Sequence, residues 1–375
     1  MPSSHPALTP TQLGSLKLAN RVAVAPMSRV STAGDGVPTA EMADYYARFA
    51  QGGFALIITE GIYLDHAHSQ SYPNQPALVT GAQVAGWRQV VDSVHAAGGL
   101  IIAQLMHGGA LSQHNHHRRG TIAPSAVPPL GEKMAAYGGS GAWALPRAAG
   151  SEDIAEALTG FAEAAGRAKE AGFDGVELHG ANGYLIDQFL TTYTNTRTDS
   201  YGGDAVGRSR FMAEALAVVR TAVGTEYPVG IRLSQTKVND LEYRWPGGAA
   251  EAEVIFQAAA SAGADFLHLA SEGRDWQQTA TLDTGVTATA LARETTGLPV
   301  IANGGMHDVV QARTVLDEGH ADVIALGRGA LGDRDWPQRV ADGQTPSGFV
   351  PELLQPDVTL GAECTYRARA GETTP

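Results

Sequence analysis

Short apolar runs alternate along this chain with alanine-rich amphipathic segments, and a glycine-containing break precedes most of the runs. Five junctions carry the pattern: FAQGGFALIITEG (49–61), HAAGGLIIAQLM (95–106), KEAGFDGVELHG (169–180), SAGADFLHLAS (261–271) and DEGHADVIALG (317–327). A glycine at such a point lets a helix end in a left-handed turn, so the chain re-enters an extended run two or three residues later. RVAVAPM (21–27), YPVGIRLS (227–234) and LPVIANGG (298–305) add three runs, for eight predicted strands. The stretches between them have helical spacing, as in Leu158, Phe161, Ala165 and Ala168, which predicts helices with one buried face.

Strands that are apolar throughout, rather than at alternate positions, are those covered on both faces of a parallel sheet. Eight βα units over a chain of this length predict the α/β class and a TIM (β/α)8 barrel. An open doubly wound sheet is the weaker alternative, because no linker splits the strand series into halves. The expected organisation is one barrel domain over residues 1–345 with a tail at 346–375. Residues 107–150, rich in Gly, Pro, Ser and His, form a long loop insertion after the third strand, expected over the barrel's carboxyl end. Pro10 and LGSLKLAN are expected to cap the opposite end. The tail, with Pro346, Pro351 and Pro356, is expected to wrap either the barrel or a neighbouring subunit.

Charge and cysteine usage narrow the function classes. Acidic residues outnumber basic ones 39 to 26, a net charge of −13, which argues against nucleic acid as a partner. A single cysteine, Cys364, excludes an intrachain disulfide framework and a cysteine-rich metal site. MPSSHPALTP lacks the features of a secretory signal, and no apolar run is long enough for a membrane span. The expectation is a cytoplasmic protein without membrane contact, acting on a small molecule; a homo-oligomer is left open. His114, His116 and His117 stand beside Arg118 and Arg119, which disfavours a dication there.

The densest chemistry lies in HGANGYLIDQFL (179–190), directly after the strand DGVEL. An imidazole, an amide and a phenol at His179, Asn182 and Tyr184 can grip a carbonyl oxygen while the phenol supplies a proton. In a TIM barrel the active site forms where strands end. Those ends read Ser28, Glu60 with Gly61, Gln104, His179 with Asn182 and Tyr184, Arg232, Ser271, Asn303 with Gly304 and Gly305, and Gly327 with Arg328. The last two loops have the small residues and the cation that a phosphate site after strands seven and eight uses. GRGALG (327–332) matches a dinucleotide-binding fingerprint, but no further strand or suitably spaced acid follows, so it reads as strand eight entering a phosphate-binding helix.

Taken together, RVAVAPMSR, QLMHGG, APSAV, HGANGYLIDQFL, NTRTDSYGG (195–203), ANGG and GRGALGD resemble the Old Yellow Enzyme family of flavin-dependent ene-reductases, over roughly residues 8–342. The resemblance implies a noncovalent FMN, NADPH or NADH as reductant, and reduction of an activated alkene. It implies that Ala25, Pro26, Met27 and Ser28 lie along the flavin ring, Gly61, Gln104 and Arg232 near its pyrimidine portion, and Gly304, Gly305, Gly327 and Arg328 at its phosphate. It assigns His179 and Asn182 to the substrate's carbonyl or nitro oxygen and Tyr184 to proton donation. Ser28 and Ala110 depart from the residues common in relatives, and Arg367 or Arg369 is a candidate for completing a partner's site. Nitro or nitrate ester reduction, oxidative demethylation and isomerisation are other reactions of flavin barrels. Two readings outside that chemistry are a Schiff-base lyase using Lys237 and a flavin-storing protein.

Overall fold

The computed structural model describes residues 5–271 and 276–371. Its centre is a closed barrel of eight parallel strands: β1 Val22–Val24, β2 Leu56–Tyr63, β3 Leu100–Met106, β4 Gly175–Asn182, β5 Val229–Lys237, β6 Phe266–Ala270, β7 Val300–Asn303 and β8 Val323–Leu326. All eight coincide with the runs read from the sequence. Helices α1 Ala40–Gln51, α2 Gly81–Ala96, α3 Ser151–Ala171, α4 Ala205–Val223, α5 Gly248–Ser261, α6 Ala288–Thr296 and α7 Val309–Asp317 surround it. In α3 the predicted face is inward: Phe161, Ala165 and Ala168 are buried, with Leu158 packed at the margin.

Each strand points alternate residues inward, so residues two apart share the lumen. At the amino-terminal end the lumen is apolar, filled by Ile102, Phe266, Ile301 and Val323. The predicted cap is a hairpin of Thr11–Leu13 and Leu16–Leu18, whose Leu13, Leu16 and Leu18 close this layer. Phe266 needs Gly230 beside it: a Cβ there would lie 2.1 Å from the ring. One inward step later the same strands present Gln104, Arg232, His268 and Asn303. The lumen thus changes from apolar to polar toward the carboxyl ends.

Two register shifts sit on that polar side, between Ile58 and Gly61 in the β2–β3 pairing and between Gly180 and Asn182 in the β4–β5 pairing. Such irregularities bend a strand and re-aim its side chains. The insertion after β3 contains short 3₁₀ turns and a two-residue pairing of Ile122–Ala123 with Arg147–Ala148. The tail returns to its own chain: helix Leu360–Arg369 buries Leu360 and Glu363, and Arg29 hydrogen-bonds Val358 O at 2.7 Å. The sequence makes pocket size depend on residues 271–285 as well as on 107–150, and 272–275 lie outside the described residues. No described helix is long and apolar enough to cross a membrane.

Candidate active site

A cavity of about 690 Å³ opens at the carboxyl end of the barrel. Fourteen residues singled out in the sequence, Ala25, Pro26, Met27, Ser28, Gly61, Gln104, His179, Asn182, Tyr184, Arg232, Gly304, Gly305, Gly327 and Arg328, all line it. They come from loops and strands spread over three hundred residues, and barrel closure is what brings them together.

The wall made by β4 carries the polar triad. Asn182 adopts φ 64° and Gly183 φ 88°, two consecutive left-handed residues. Asn tolerates this region better than most side chains. The bend is held from outside: Asn182 N–H donates to Ser234 Oγ at 2.9 Å and Gly183 N–H to Asp187 Oδ2 at 2.6 Å. Arg232 Nη1 donates to Asn182 Oδ1 at 2.8 Å and its Nη2 to Asn303 Oδ1 at 2.8 Å. With its oxygen turned to Arg232, the Asn182 amide presents its NH2 donor on the opposite side. His179 is buried, and its Nδ1 has no hydrogen-bond partner among the described residues. Burial, with Arg232 and His268 adding to it, holds His179 well below the usual histidine range. The ring is therefore neutral at physiological pH and offers one N–H. Tyr184 packs against it, ring centroids 4.8 Å apart, and shares a hydrogen bond with the buried Tyr72 hydroxyl.

The loop after β1 runs along another wall and is fixed from behind. Glu60 Oε2 accepts the N–H groups of Arg29 (2.9 Å) and Val30 (2.8 Å), and Val30 stands at φ 40°, a strained conformation for a β-branched residue. Glu60 was grouped with the strand-end residues, yet it does not line the cavity; it anchors this loop. Its burial pushes its carboxyl up to about 6. Gly61 lets Met106 pack closely here: a Cβ would lie 2.3 Å from Met106 Sδ, and the methionine would have to move.

These surroundings fit FMN. Gln104 provides an amide, donor and acceptor together, for the alternating edge of a pyrimidine, and Arg232 provides a fixed positive charge. Gly304, at φ 128°, and Gly305, at φ 67°, form a bare backbone turn, and Gly327 has no atom closer than 3.7 Å to where a Cβ would stand. Such a cradle leaves room for a phosphate, with the exposed Arg328 at its edge.

Sequence reading missed several lining residues, among them Arg29, Met106, Tyr137, Met306, His307, Phe349, Leu354 and Val358. Tyr137 belongs to the insertion whose overhang was expected; Phe349, Leu354 and Val358 belong to the tail and had no signal of their own. Arg367 turns to Glu363 of its own tail at 2.7 Å. Arg118 forms an exposed pair with Glu156. The Schiff-base reading of Lys237 is overturned: its Nζ is buried, 2.6 Å from Asp187 Oδ1, and lies outside the cavity. Burial lowers the Lys237 ammonium from its usual range, Asp187 opposing that shift, and the ion pair closes the nitrogen to a carbonyl substrate.

Residues 7–346 match the NADH:flavin oxidoreductase / NADH oxidase family. The chain belongs to that family. It is 35% identical over 350 residues to chanoclavine-I aldehyde reductase of Penicillium roqueforti, covering 89% of both chains. It is 31% identical to an NADH oxidase of Thermoanaerobacter brockii over 89% of its own length, spanning half of that longer protein. Morphinone reductase in complex with tetrahydroNAD superposes with a TM-score of 0.82 at 32% identity, over 96% of each chain. The fold, the family and the cavity agree: the chain is an FMN-dependent NAD(P)H oxidoreductase of the ene-reductase class, acting on small molecules.

Proposed function

We propose that this enzyme reduces the C=C bond of α,β-unsaturated carbonyl or nitro compounds, with His179, Asn182 and Tyr184 as its catalytic residues. When bound, FMN supplies the hydride that it has taken from NAD(P)H. The observation that carries the assignment is that Asn182 Oδ1 accepts from Arg232 while Asn182 and His179 both line the cavity, which makes the amide's NH2 end and the imidazole N–H the groups to meet a substrate oxygen. Two donors converging on one substrate oxygen polarise the double bond and stabilise the enolate charge that develops there. Tyr184 lies beside them and delivers a proton to the α-carbon. Ala25 to Ser28, Gly61, Gln104 and Arg232 would hold the ring system, and Gly304, Gly305, Gly327 and Arg328 the phosphate. An acidic chain with one cysteine supports a cytoplasmic setting.

The test is an absorption spectrum of the purified protein, then anaerobic addition of NADPH followed by 2-cyclohexenone. Flavin bands that bleach with the first and return with the second are expected. Bands that bleach but stay bleached with enones and nitroalkenes alike would remove the alkene assignment and leave the flavin intact.

A further inference from the structure

Beneath the cavity floor lies a polar group that the proposed reaction does not use. Glu177 is completely buried inside the barrel, as is His268, and neither lines the cavity. Gln104 Nε2 donates to Glu177 Oε1 at 2.8 Å, and His268 Nδ1 lies 2.7 Å from Glu177 Oε2. A carboxylate only accepts, so the shared hydrogen of the second contact belongs to His268 Nδ1.

The consequence falls on Gln104. A glutamine amide can be placed either way round, and the two placements exchange an acceptor for a donor. Glu177 removes that choice, because only the NH2 end can face a carboxylate. His268 in turn keeps the carboxylate from swinging away. We infer that Glu177, braced by His268, is a positioning residue that fixes the Gln104 amide so that its oxygen and its second N–H meet the donor and acceptor of the flavin pyrimidine. This rests on the FMN reading above and adds to it a layer that does not itself touch the cofactor. Its sequence separation explains why it went unseen: Gln104, Glu177 and His268 sit on β3, β4 and β6, in runs that read as plain buried strands.

The experiment is a double-mutant cycle read by FMN dissociation constant, from quenching of free-flavin fluorescence, with apoprotein melting measured alongside. Glu177→Gln keeps the shape but removes the charge and one of the two acceptor oxygens, so a side chain that can itself be placed either way round no longer imposes one orientation on Gln104. It is expected to weaken FMN about tenfold, the scale of one charge-assisted hydrogen bond. Gln104→Met should weaken it by a similar factor. With Gln104 already Met, adding Glu177→Gln should change the affinity by less than about twofold, since the positioned group is gone. The midpoint potential of the bound flavin is the second readout: it should move in the Glu177→Gln variant and show the same loss of effect in the Gln104→Met background. A folded Glu177→Gln variant that binds FMN as the wild type does, or penalties that add in full, would overturn the inference. Should Glu177→Gln not fold, His268→Leu carries the same test, with FMN weakened about threefold or more supporting it and wild-type affinity overturning it. A wild-type chain that binds no FMN would instead defeat the functional reading itself.

Discussion

The hydroxyl of Tyr184 is hydrogen-bonded to that of Tyr72, a fully buried residue 112 positions earlier in the chain, whose ring stacks on Tyr137 at 4.3 Å. Burial above all, then its phenol neighbours, holds Tyr72 well above the usual tyrosine range, so it stays protonated at neutral pH. In the proposed reaction, in which Tyr184 directs its proton at a substrate carbon, Tyr72 is the donor that stabilises the charge remaining on the Tyr184 oxygen. Tyr72→Phe should slow flavin reoxidation by 2-cyclohexenone about tenfold, the worth of one such hydrogen bond, and Tyr184→Phe about a hundredfold or more. Flavin reduction by NADPH should stay within about twofold in both. Stopped-flow traces of the two half-reactions separate the cases; equal losses in both would remove the proton-transfer role.

Acid should destabilise the fold through His107. Gly109 N–H donates to its Nδ1 at 3.1 Å, a contact that requires an unprotonated nitrogen, and burial pushes the imidazole down to about 4. Between pH 6.5 and about 4 the unfolded chain binds this proton and the folded chain does not, so stability is full above 6.5 and falls as pH drops through that window. The loss amounts to about 3 kcal/mol at the lower end. Urea unfolding at several pH values should show it, and His107→Asn, which keeps an acceptor for Gly109, should flatten the slope.

Glu363 ties the tail to the barrel. Its buried carboxylate meets Arg29 and Arg334, each at 2.5 Å, and Arg367 at 2.7 Å. Removing it leaves three guanidinium groups crowded without a counter-charge, at a cost of about 3–5 kcal/mol. Leu354 and Val358, on the same tail, line the cavity. Glu363→Ala should therefore lower the melting temperature, raise KM for the enone more than it lowers kcat, and make the segment beyond residue 346 sensitive to limited proteolysis. A variant that stays protease-resistant with an unchanged KM would show that the latch does not shape the site.

Gly304→Ala should cost both stability and cofactor. The added Cβ would stand 2.5 Å from Ser271 O, and the backbone is at φ 128°. Strain of about 1–3 kcal/mol is expected, relieved only by moving the turn. The FMN content of the purified protein should fall with it, whereas a full flavin complement would mean that the turn is not part of the phosphate cradle.

Strand positions were legible because burial on both faces leaves a continuous apolar run, and the active-site end was legible because polar residues interrupt those runs just where they stop. His179, Asn182, Tyr184 and Arg232 stood out for that reason. Glu177 and His268 did not: each lies inside a strand rather than at its end, and nothing local tells an inward neighbour from an outward one. Tyr72, Leu354 and Val358 lie outside the strand rhythm altogether.

Periodicity, glycine breaks and apolar runs are local consequences of backbone geometry and burial, and they were enough to place the eight βα units, the end of the barrel where chemistry gathers and the residue types gathered there. Which of those residues face one another came from the closed barrel alone: Arg232 turning Asn182, Glu177 holding Gln104, Tyr72 bonded to Tyr184, Glu363 pinning the tail. Those pairings depend on the register at which the barrel closes and on loops folding back across it, and contacts between groups 50 to 334 residues apart leave no periodic trace along the chain.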